Sequence, residues 1–256
     1  MKVVLLAGGY GTRISEESHL RPKPMIELGG KPILWHIMKC YSSYGFSDFI
    51  ICCGYKQYMI KEYFANYSLH NSDVTFDYRN GKTMEVHSNV SEPWRVTLVD
   101  TGLDTMTGGR IKRVMDYIAN ETFMLTYGDG VSDINIAKLA EFHKSHDKAV
   151  TMTIVKAKQR FGLVKLGTDG AVEEFREKKT NDDSLINGGF MVLDPCVLDY
   201  IEGDTTAFER EPLEKLADMK EIMAYVHDGF WHCMDTQRDK QELDAFIKSG
   251  QAPWST

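Results

Sequence analysis

The chain has no apolar run near the ~20 residues that a membrane span needs. Its short apolar N-terminal stretch follows a single Lys2 and enters a glycine loop rather than a cleavable small-residue site. The expectation is a cytoplasmic protein with no membrane contact. Positive charge is also in short supply. Thirty Lys and Arg stand against 37 Asp and Glu, a net charge of -7. That excludes a broad basic face for nucleic acid and confines any phosphate site to a local cluster of cations, here Arg13, Arg21 and Lys23. The cysteines are few and odd in number, five, without C-x-x-C spacing, and two of them lie inside the apolar run 49–53. Reduced, mostly buried thiols are predicted rather than a disulfide framework. The eight histidines form no H-E-x-x-H arrangement and no Cys-His set of zinc spacing. Internal repeats, linkers and low-complexity tracts are missing too.

What is present begins at Val3-Val4-Leu5-Leu6-Ala7-Gly8-Gly9-Tyr10-Gly11-Thr12-Arg13, followed by Arg21-Pro22-Lys23-Pro24-Met25. A continuous apolar run of this kind suits a central parallel strand, and the glycines at its end let backbone N–H groups approach an anion without Cβ obstruction. The loop matches neither common phosphate motif. No Gly-Lys-Ser/Thr follows, and Ile14 stands where the dinucleotide fingerprint needs its last glycine.

The order of elements predicts an α/β fold. A strand at 48–53 lies between a helix opened by Lys31-Pro32 and a helix over 55–67, so strands and helices alternate as in a parallel sheet flanked by helices. Residues 70–100 turn to short β-type runs, 74–78 and 95–99, with Asn80-Gly81 as a hairpin turn; they predict a small β-rich insertion at one edge. A helix over 111–119, a buried strand at 122–127, a helix over 134–146 that Ser132 can cap, and a strand at 149–155 follow. A hairpin over 162–176 and a strand at 187–193 make the last third mixed. Helices over 211–219 and 236–248 close the chain, the second with Thr236 and Asp239 placed as a capping box. One domain over 1–256 is expected, with a mixed α/β portion over about 150–256.

Ligands of open parallel sheets bind at the carboxyl ends of the strands. Two features fall there: the glycine loop, and Gly128-Asp129-Gly130 after the strand 122–127. Asp129 could hold Mg²⁺ against nucleotide phosphates, with Asp235 of Phe230-Trp-His-Cys-Met-Asp-Thr236 as its partner. Taken alone, Gly-Asp-Gly reads equally as a tight turn and Asp235 as the approach to the last helix. Glu177-Lys178 suits a polyol phosphate, or simply a solvated strand edge. The segment 100–110, ending in Arg110, is either an ordinary loop or a second ligand-contacting one.

Together, the segments 6–13, 22–25 and 127–130, with Glu177-Lys178 and Asn187-Gly-Gly189, resemble the sugar-phosphate nucleotidylyltransferases over nearly the whole chain. Segments 29–38, 100–110 and 230–236 and the terminal Ala252-Pro-Trp254 are similar to the branch that acts on CTP and glucose 1-phosphate. The resemblance implies a Rossmann-like, mixed, mainly parallel sheet of the nucleotide-diphospho-sugar transferase type. It also implies formation of CDP-glucose and pyrophosphate for surface polysaccharide synthesis, a Mg²⁺ cofactor and a homo-oligomer, a hexamer.

The same resemblance implies roles. Leu6, Ala7, Gly8, Gly9, Tyr10, Gly11, Thr12 and Gly128 bind nucleotide. Arg13 meets the leaving pyrophosphate and Lys23 the α-phosphate. Asp129 and Asp235 carry the metal, and Gly162, Glu177, Lys178, Asn187 and Gly188 face the sugar phosphate. Cytosine presents acceptors at O2 and N3 whereas uracil carries a proton at N3, so a cation donating to both selects cytosine. Arg110, helped by Thr105, is the candidate. The superfamily's usual Glu-Lys-Pro reads Glu177-Lys178-Lys179 in this chain. A glycosyltransferase of related core would need Asp-x-Asp, but Asp129 is followed by Gly130 and Val131. A non-catalytic nucleotide-binding subunit would be expected to lack some of Arg13, Lys23, Asp129 and Asp235, all of which are present.

Overall fold

The computed structural model describes residues 1–79, 81, 83–156, 163–167, 170–176 and 185–255. Strand Val3–Leu6 is paired in parallel on both sides. Val3 lies opposite Phe49 of Asp48–Cys53 on one flank and opposite Met124 of Phe123–Tyr127 on the other. Successive side chains go to opposite faces. Val3 and Leu5 join one core with Phe49, Ile51 and Cys53, whereas Val4 and Leu6 join another with Ile50 and Cys52. Helix Ile33–Ser43 supplies Leu34, Ile37 and Tyr41 to the first core, and Thr107–Arg113 and Glu211–Asp218 supply Ile111, Leu213 and Leu216 to the second. With both faces covered, the strands carry unbroken apolar runs. Each such buried Leu or Ile contributes roughly 1.5–3 kcal/mol.

The main sheet runs in the order Val172–Arg176, Leu163–Leu166, Leu185–Leu193, Phe123–Tyr127, Val3–Leu6, Asp48–Cys53, Arg95–Asp100. Val150–Lys156 pairs with both Leu185–Leu193 and Ile222–His227. The four strands from Phe123–Tyr127 to Arg95–Asp100 are parallel, and Leu185–Leu193 is antiparallel to its neighbours. This is the mixed, mainly parallel sheet that the order of elements predicts. The chain leaves Val3–Leu6 toward one edge and returns on its other side with Phe123–Tyr127. Strand order therefore reverses between these two, and the crevice beyond their carboxyl ends is the natural ligand position.

Several local expectations need correction. The helix that Lys31-Pro32 opens starts at Ile33 with Pro32 as its N-cap, and the same two residues also pair with Glu27–Leu28 across Gly29 and Gly30, whose φ of 58° and 80° form a tight turn. Arg95–Asp100 is not part of the insertion. It joins the main sheet parallel to Asp48–Cys53, leaving Ser72–Asp77 and Thr83–Asn89 as a separate hairpin. Parallel pairing across a long crossover leaves no local signal, so the two strand types look alike in sequence. The helix expected over 111–119 begins earlier, at Thr107, and breaks at Val114. Ser132 sits in strand Gly130–Ser132 and is not the cap of Ile136–Lys144. Asn135 is, its side-chain oxygen accepting from Lys138 N at 2.9 Å. Strands Ile222–His227 and Trp231–Cys233 were not anticipated.

The closing helix Gln237–Lys248 carries the expected capping box, Thr236 and Asp239 each accepting from the other's backbone N–H. Beyond it Trp254 is 1 % exposed, stacked on Phe230 at 5.3 Å between ring centroids and set edge-on to Phe246 at 6.2 Å. The end of the chain is thus part of the core. Trp254→Ala should lower unfolding stability by about 3–5 kcal/mol. Thr236→Ala, which removes only a cap, should lower it by about 1 kcal/mol. Urea denaturation of both variants checks the ranking.

Candidate active site

The loop leaving Val3–Leu6 turns at Gly11, whose φ of 67° lies in the left-handed region, into the short helical turn Thr12–Ile14. Arg110, 4 % exposed, reaches into this loop from helix Thr107–Arg113. Its Nη1 donates to Thr101 Oγ1 at 2.7 Å, to the Gly102 carbonyl at 2.7 Å and to the Cys53 carbonyl at 3.3 Å. Its Nη2 donates to the carbonyls of Gly8 and Leu103, each at 3.1 Å. These acceptors belong to the loops that end three adjacent parallel strands, so one guanidinium clasps all three. Burial pushes its pKa down, and the carbonyls repay the lost hydration. The clasp needs glycine around it. A Cβ on Gly54 would come within 2.5 Å of Arg110 Nη1, 2.6 Å of the Gly8 carbonyl and 2.8 Å of the Gly102 carbonyl.

The second centre is a cluster of charges. Lys23 begins a helical turn after Pro22 and is 7 % exposed. Its Nζ lies 2.7 Å from Asp129 Oδ2 and 2.6 Å from Asp235 Oδ1, while Arg13 Nη1 takes Asp235 Oδ2 at 2.5 Å. Burial by itself would push the Lys23 pKa down, but Asp129 and Asp235 outweigh it and hold the ammonium above the usual lysine range. The two aspartates are far apart in sequence. They meet because Trp231–Cys233 pairs antiparallel with Gly130–Ser132, setting Cys233 opposite Gly130, and because Met234 N donates to the Asp129 carbonyl at 2.8 Å. Asp235 is steadied by Asp239, whose Oδ2 accepts from Asp235 N at 3.0 Å.

Oxygen donors from two separate loops, already holding a cation between them, suit a hard divalent ion. Cys233 joins them: its sulfur and one oxygen of each aspartate all lie within 4.8 Å of one another. Burial, then Asp129, pushes the Cys233 thiol well above its ordinary pKa.

Both centres open into a cavity of about 650 Å³. Its walls include Tyr127, whose hydroxyl donates to Glu209 Oε1 at 2.7 Å, and Gly188, whose carbonyl accepts from Trp231 Nε1 at 2.7 Å. Gly189, with φ of 80°, packs so closely on Tyr127 that a Cβ would meet the ring at 2.7 Å. At the glycine loop, Tyr10 donates its hydroxyl to Asp104 Oδ1 at 2.7 Å.

The cavity brings together the expected Leu6, Ala7, Gly8, Gly9, Tyr10, Gly11, Thr12, Arg13, Lys23, Thr105, Arg110, Gly128, Asp129, Asn187, Gly188 and Asp235. Gly162, Glu177 and Lys178, with the altered Lys179, lie outside the described residues. Cys233, Glu209, Asp104 and Trp231 also line it, and sequence reasoning passed over them. Cys233 had no signal: its strand ends there and the chain turns, Asp235 N donating to the Cys233 carbonyl at 3.1 Å. Glu209 had none, since its partners Thr107 and Tyr127 come from remote elements.

The nucleotidyl transferase family profile matches residues 2–236. Glucose-1-phosphate cytidylyltransferase of Salmonella typhimurium is 56 % identical over 257 residues, covering 100 % of this chain and 99 % of that protein. Two solved structures share the fold. HddC from Yersinia pseudotuberculosis superposes with a TM-score of 0.74 at 22 % identity, covering 96 % of this chain and 99 % of its own. UDP-glucose pyrophosphorylase from Acinetobacter baumanii gives 0.78 at 15 % identity, covering 99 % and 95 %.

Gly54→Ala should destabilise the protein by about 1–3 kcal/mol through overpacking against two backbone carbonyls. Gly9→Ala should be nearly neutral, because nothing stands within 4 Å of its Cβ position. Thermal melting of the pair tests the clasp: equal midpoints would mean that the guanidinium does not constrain the loops.

Proposed function

The chain belongs to the nucleotidyl transferase family, and we propose that it transfers a cytidylyl group from CTP to α-D-glucose 1-phosphate, giving CDP-glucose and pyrophosphate. The observation that carries this reading is the convergence of Lys23, Asp129 and Asp235 beside the glycine loop in one cavity. The full-length likeness to the Salmonella enzyme supports the choice of substrates.

In this reading the glycine loop from Gly8 to Thr12 lays its N–H groups along the triphosphate, and Arg13 neutralises the pyrophosphate as it leaves. The attacking phosphate oxygen of the sugar is already an anion. It needs approach in line with the leaving group rather than deprotonation, so no general base is required. Lys23 supplies fixed positive charge to the α-phosphate, where charge builds up in the transition state. Its high pKa keeps it cationic through the working range.

Asp129 and Asp235 would hold Mg²⁺, which would supply charge neutralisation and orientation of phosphate oxygens. Before substrate arrives, the two carboxylates balance the cations that will later meet phosphate. Arg110 and Thr105 read the base at the cavity wall. Turning both Nη2 donors from the Gly8 and Leu103 carbonyls to O2 and N3 of cytosine leaves the Nη1 contacts in place. Asn187 and Gly188, with Gly162, Glu177 and Lys178, face the sugar phosphate. The working form is a homo-oligomer, a hexamer, in the cytoplasm; no described helix is long and apolar enough to cross a membrane.

A matrix of nucleoside triphosphates against sugar 1-phosphates, read by magnesium-dependent pyrophosphate release, should give turnover with CTP and glucose 1-phosphate. Turnover with UTP or dTTP alone would overturn the cytidylyl assignment, and release without any acceptor would point to a hydrolase. Lys23→Ala should lower kcat about 100- to 1,000-fold at saturating substrates, the loss that follows removal of one preorganised charge donor. Near-normal kcat in that variant would remove Lys23 from the transition state.

A further inference from the structure

Glu209 lines the cavity, yet the transfer chemistry gives its carboxylate no part. The segment 203–210 that carries it is docked on helix Thr107–Arg113. Met106 N donates to the Asp204 carbonyl at 2.8 Å, Gly108 N to the Thr206 carbonyl at 2.9 Å, and Phe208 N to Thr107 Oγ1 at 2.9 Å. Phe208 is buried in the core that holds Ile111 and Leu213. Backbone ties and a buried neighbour therefore fix Glu209 before any ligand arrives.

Its partners are hydroxyls. Oε1 accepts from Tyr127 at 2.7 Å and Oε2 from Thr107 at 2.5 Å. The Thr107 oxygen already accepts from Phe208 N, so its single proton is directed at Glu209. Burial, then Glu209 itself, pushes the Tyr127 phenol well above its ordinary pKa and keeps it a donor. Unlike Asp129 and Asp235, Glu209 ion-pairs with no lysine or arginine among the described residues. Two hydroxyls fill two of the roughly four acceptor sites of a carboxylate. The others are left for whatever occupies the cavity.

A fixed negative charge repels phosphate and suits the uncharged part of a substrate, whose donors are hydroxyls. Asn187 indicates which part. Its Oδ1 accepts from Gly189 N at 2.8 Å, and its amide faces the Tyr127 hydroxyl that Glu209 holds. Asn187 is also among the residues that the proposed function sets against the sugar.

We propose that Glu209 binds one hydroxyl of the glucosyl ring, accepting its hydrogen bond on a lone pair that Tyr127 and Thr107 leave open, and selects the sugar acceptor by that hydroxyl. The inference rests on the proposed cytidylyl transfer and adds to it a residue that reads the acceptor.

The test compares wild type with Glu209→Gln on CTP and a series of glucose 1-phosphates, each lacking one hydroxyl, read as pyrophosphate release. The amide keeps one acceptor oxygen and replaces the other with a donor. For glucose 1-phosphate itself kcat/KM should fall about 10- to 100-fold, the worth of one hydrogen bond to a charged group. The fall should come mainly through KM for the sugar, with KM for CTP unchanged. Wild type should lose as much when one particular hydroxyl is missing, and Glu209→Gln should lose nothing further with that analogue. Tyr127→Phe, which removes a donor and leaves the carboxylate, should still discriminate against it. An undiminished penalty for every deoxy sugar in Glu209→Gln overturns the proposal. So does equal loss of discrimination in Tyr127→Phe, which would make Glu209 a prop for the tyrosine. A collapse confined to 2′- or 3′-deoxy-CTP overturns it too, by placing the carboxylate at the ribose. Wild-type inactivity with CTP and glucose 1-phosphate would instead remove the proposed reaction, and this inference with it. Should Glu209→Gln not fold, a crystal structure of the wild type with CDP-glucose decides. A glucosyl hydroxyl within about 3.0 Å of a Glu209 oxygen is expected, and a carboxylate touching only Tyr127 and Thr107 rejects the assignment.

Discussion

A lysine ammonium withdrawn from water between two carboxylates is the constraint around which this cavity is arranged. Removing Lys23 from solvent is expensive unless its charge is met at hydrogen-bond distance. Asp129 and Asp235 meet it at 2.7 and 2.6 Å. The three residues come from the turn after the glycine loop, from the end of a central strand and from a short strand near the end of the chain. The pairing therefore holds three remote segments in one place. Arg13 adds a second cation on the far oxygen of Asp235, so the cluster is close to electrically balanced and its cations are already positioned for an anion.

Arg110 does the complementary work on the apolar sheet. It lies over the ends of three parallel strands, donating to the Gly102 and Leu103 carbonyls and adding a second donor to those of Cys53 and Gly8, which already accept from Thr101 N and Tyr55 N. Its guanidinium fits because Gly8 and Gly54 present no Cβ. The glycine-rich loop thus has a physical reason for its composition: room for a buried cation beneath it. The closing Trp254, packed on Phe230 just before strand Trp231–Cys233, steadies the segment that carries Asp235 from the opposite side.

Much of this was legible in the chain. Unbroken apolar runs at 3–6, 49–53 and 123–125, separated by helical periodicity, identify strands covered on both faces. The glycine loop, Lys23 and the Gly-Asp-Gly after a strand mark residues that line one cavity. Strand Arg95–Asp100 was misplaced because its parallel partner lies a whole hairpin away. Lys31-Pro32 opens its helix as expected, but its pairing back onto Glu27–Leu28 leaves no mark in the sequence. Glu209 and Cys233 escaped notice because their neighbours in space carry no mark of it in sequence.

By itself the sequence determined most of the central strands and their flanking helices, the face each one buries and the glycine loop at a strand end, because these depend on periods of two and 3.6 residues and on local backbone freedom. Tertiary structure alone decided that Asp235 and the expected partner Asp129 meet across Lys23, that Cys233 stands with them, and that Arg110 closes the strand ends rather than lying free in a loop. Such meetings depend on sheet order and on ladder register between remote strands. Neither is written in the spacing of residues along the chain.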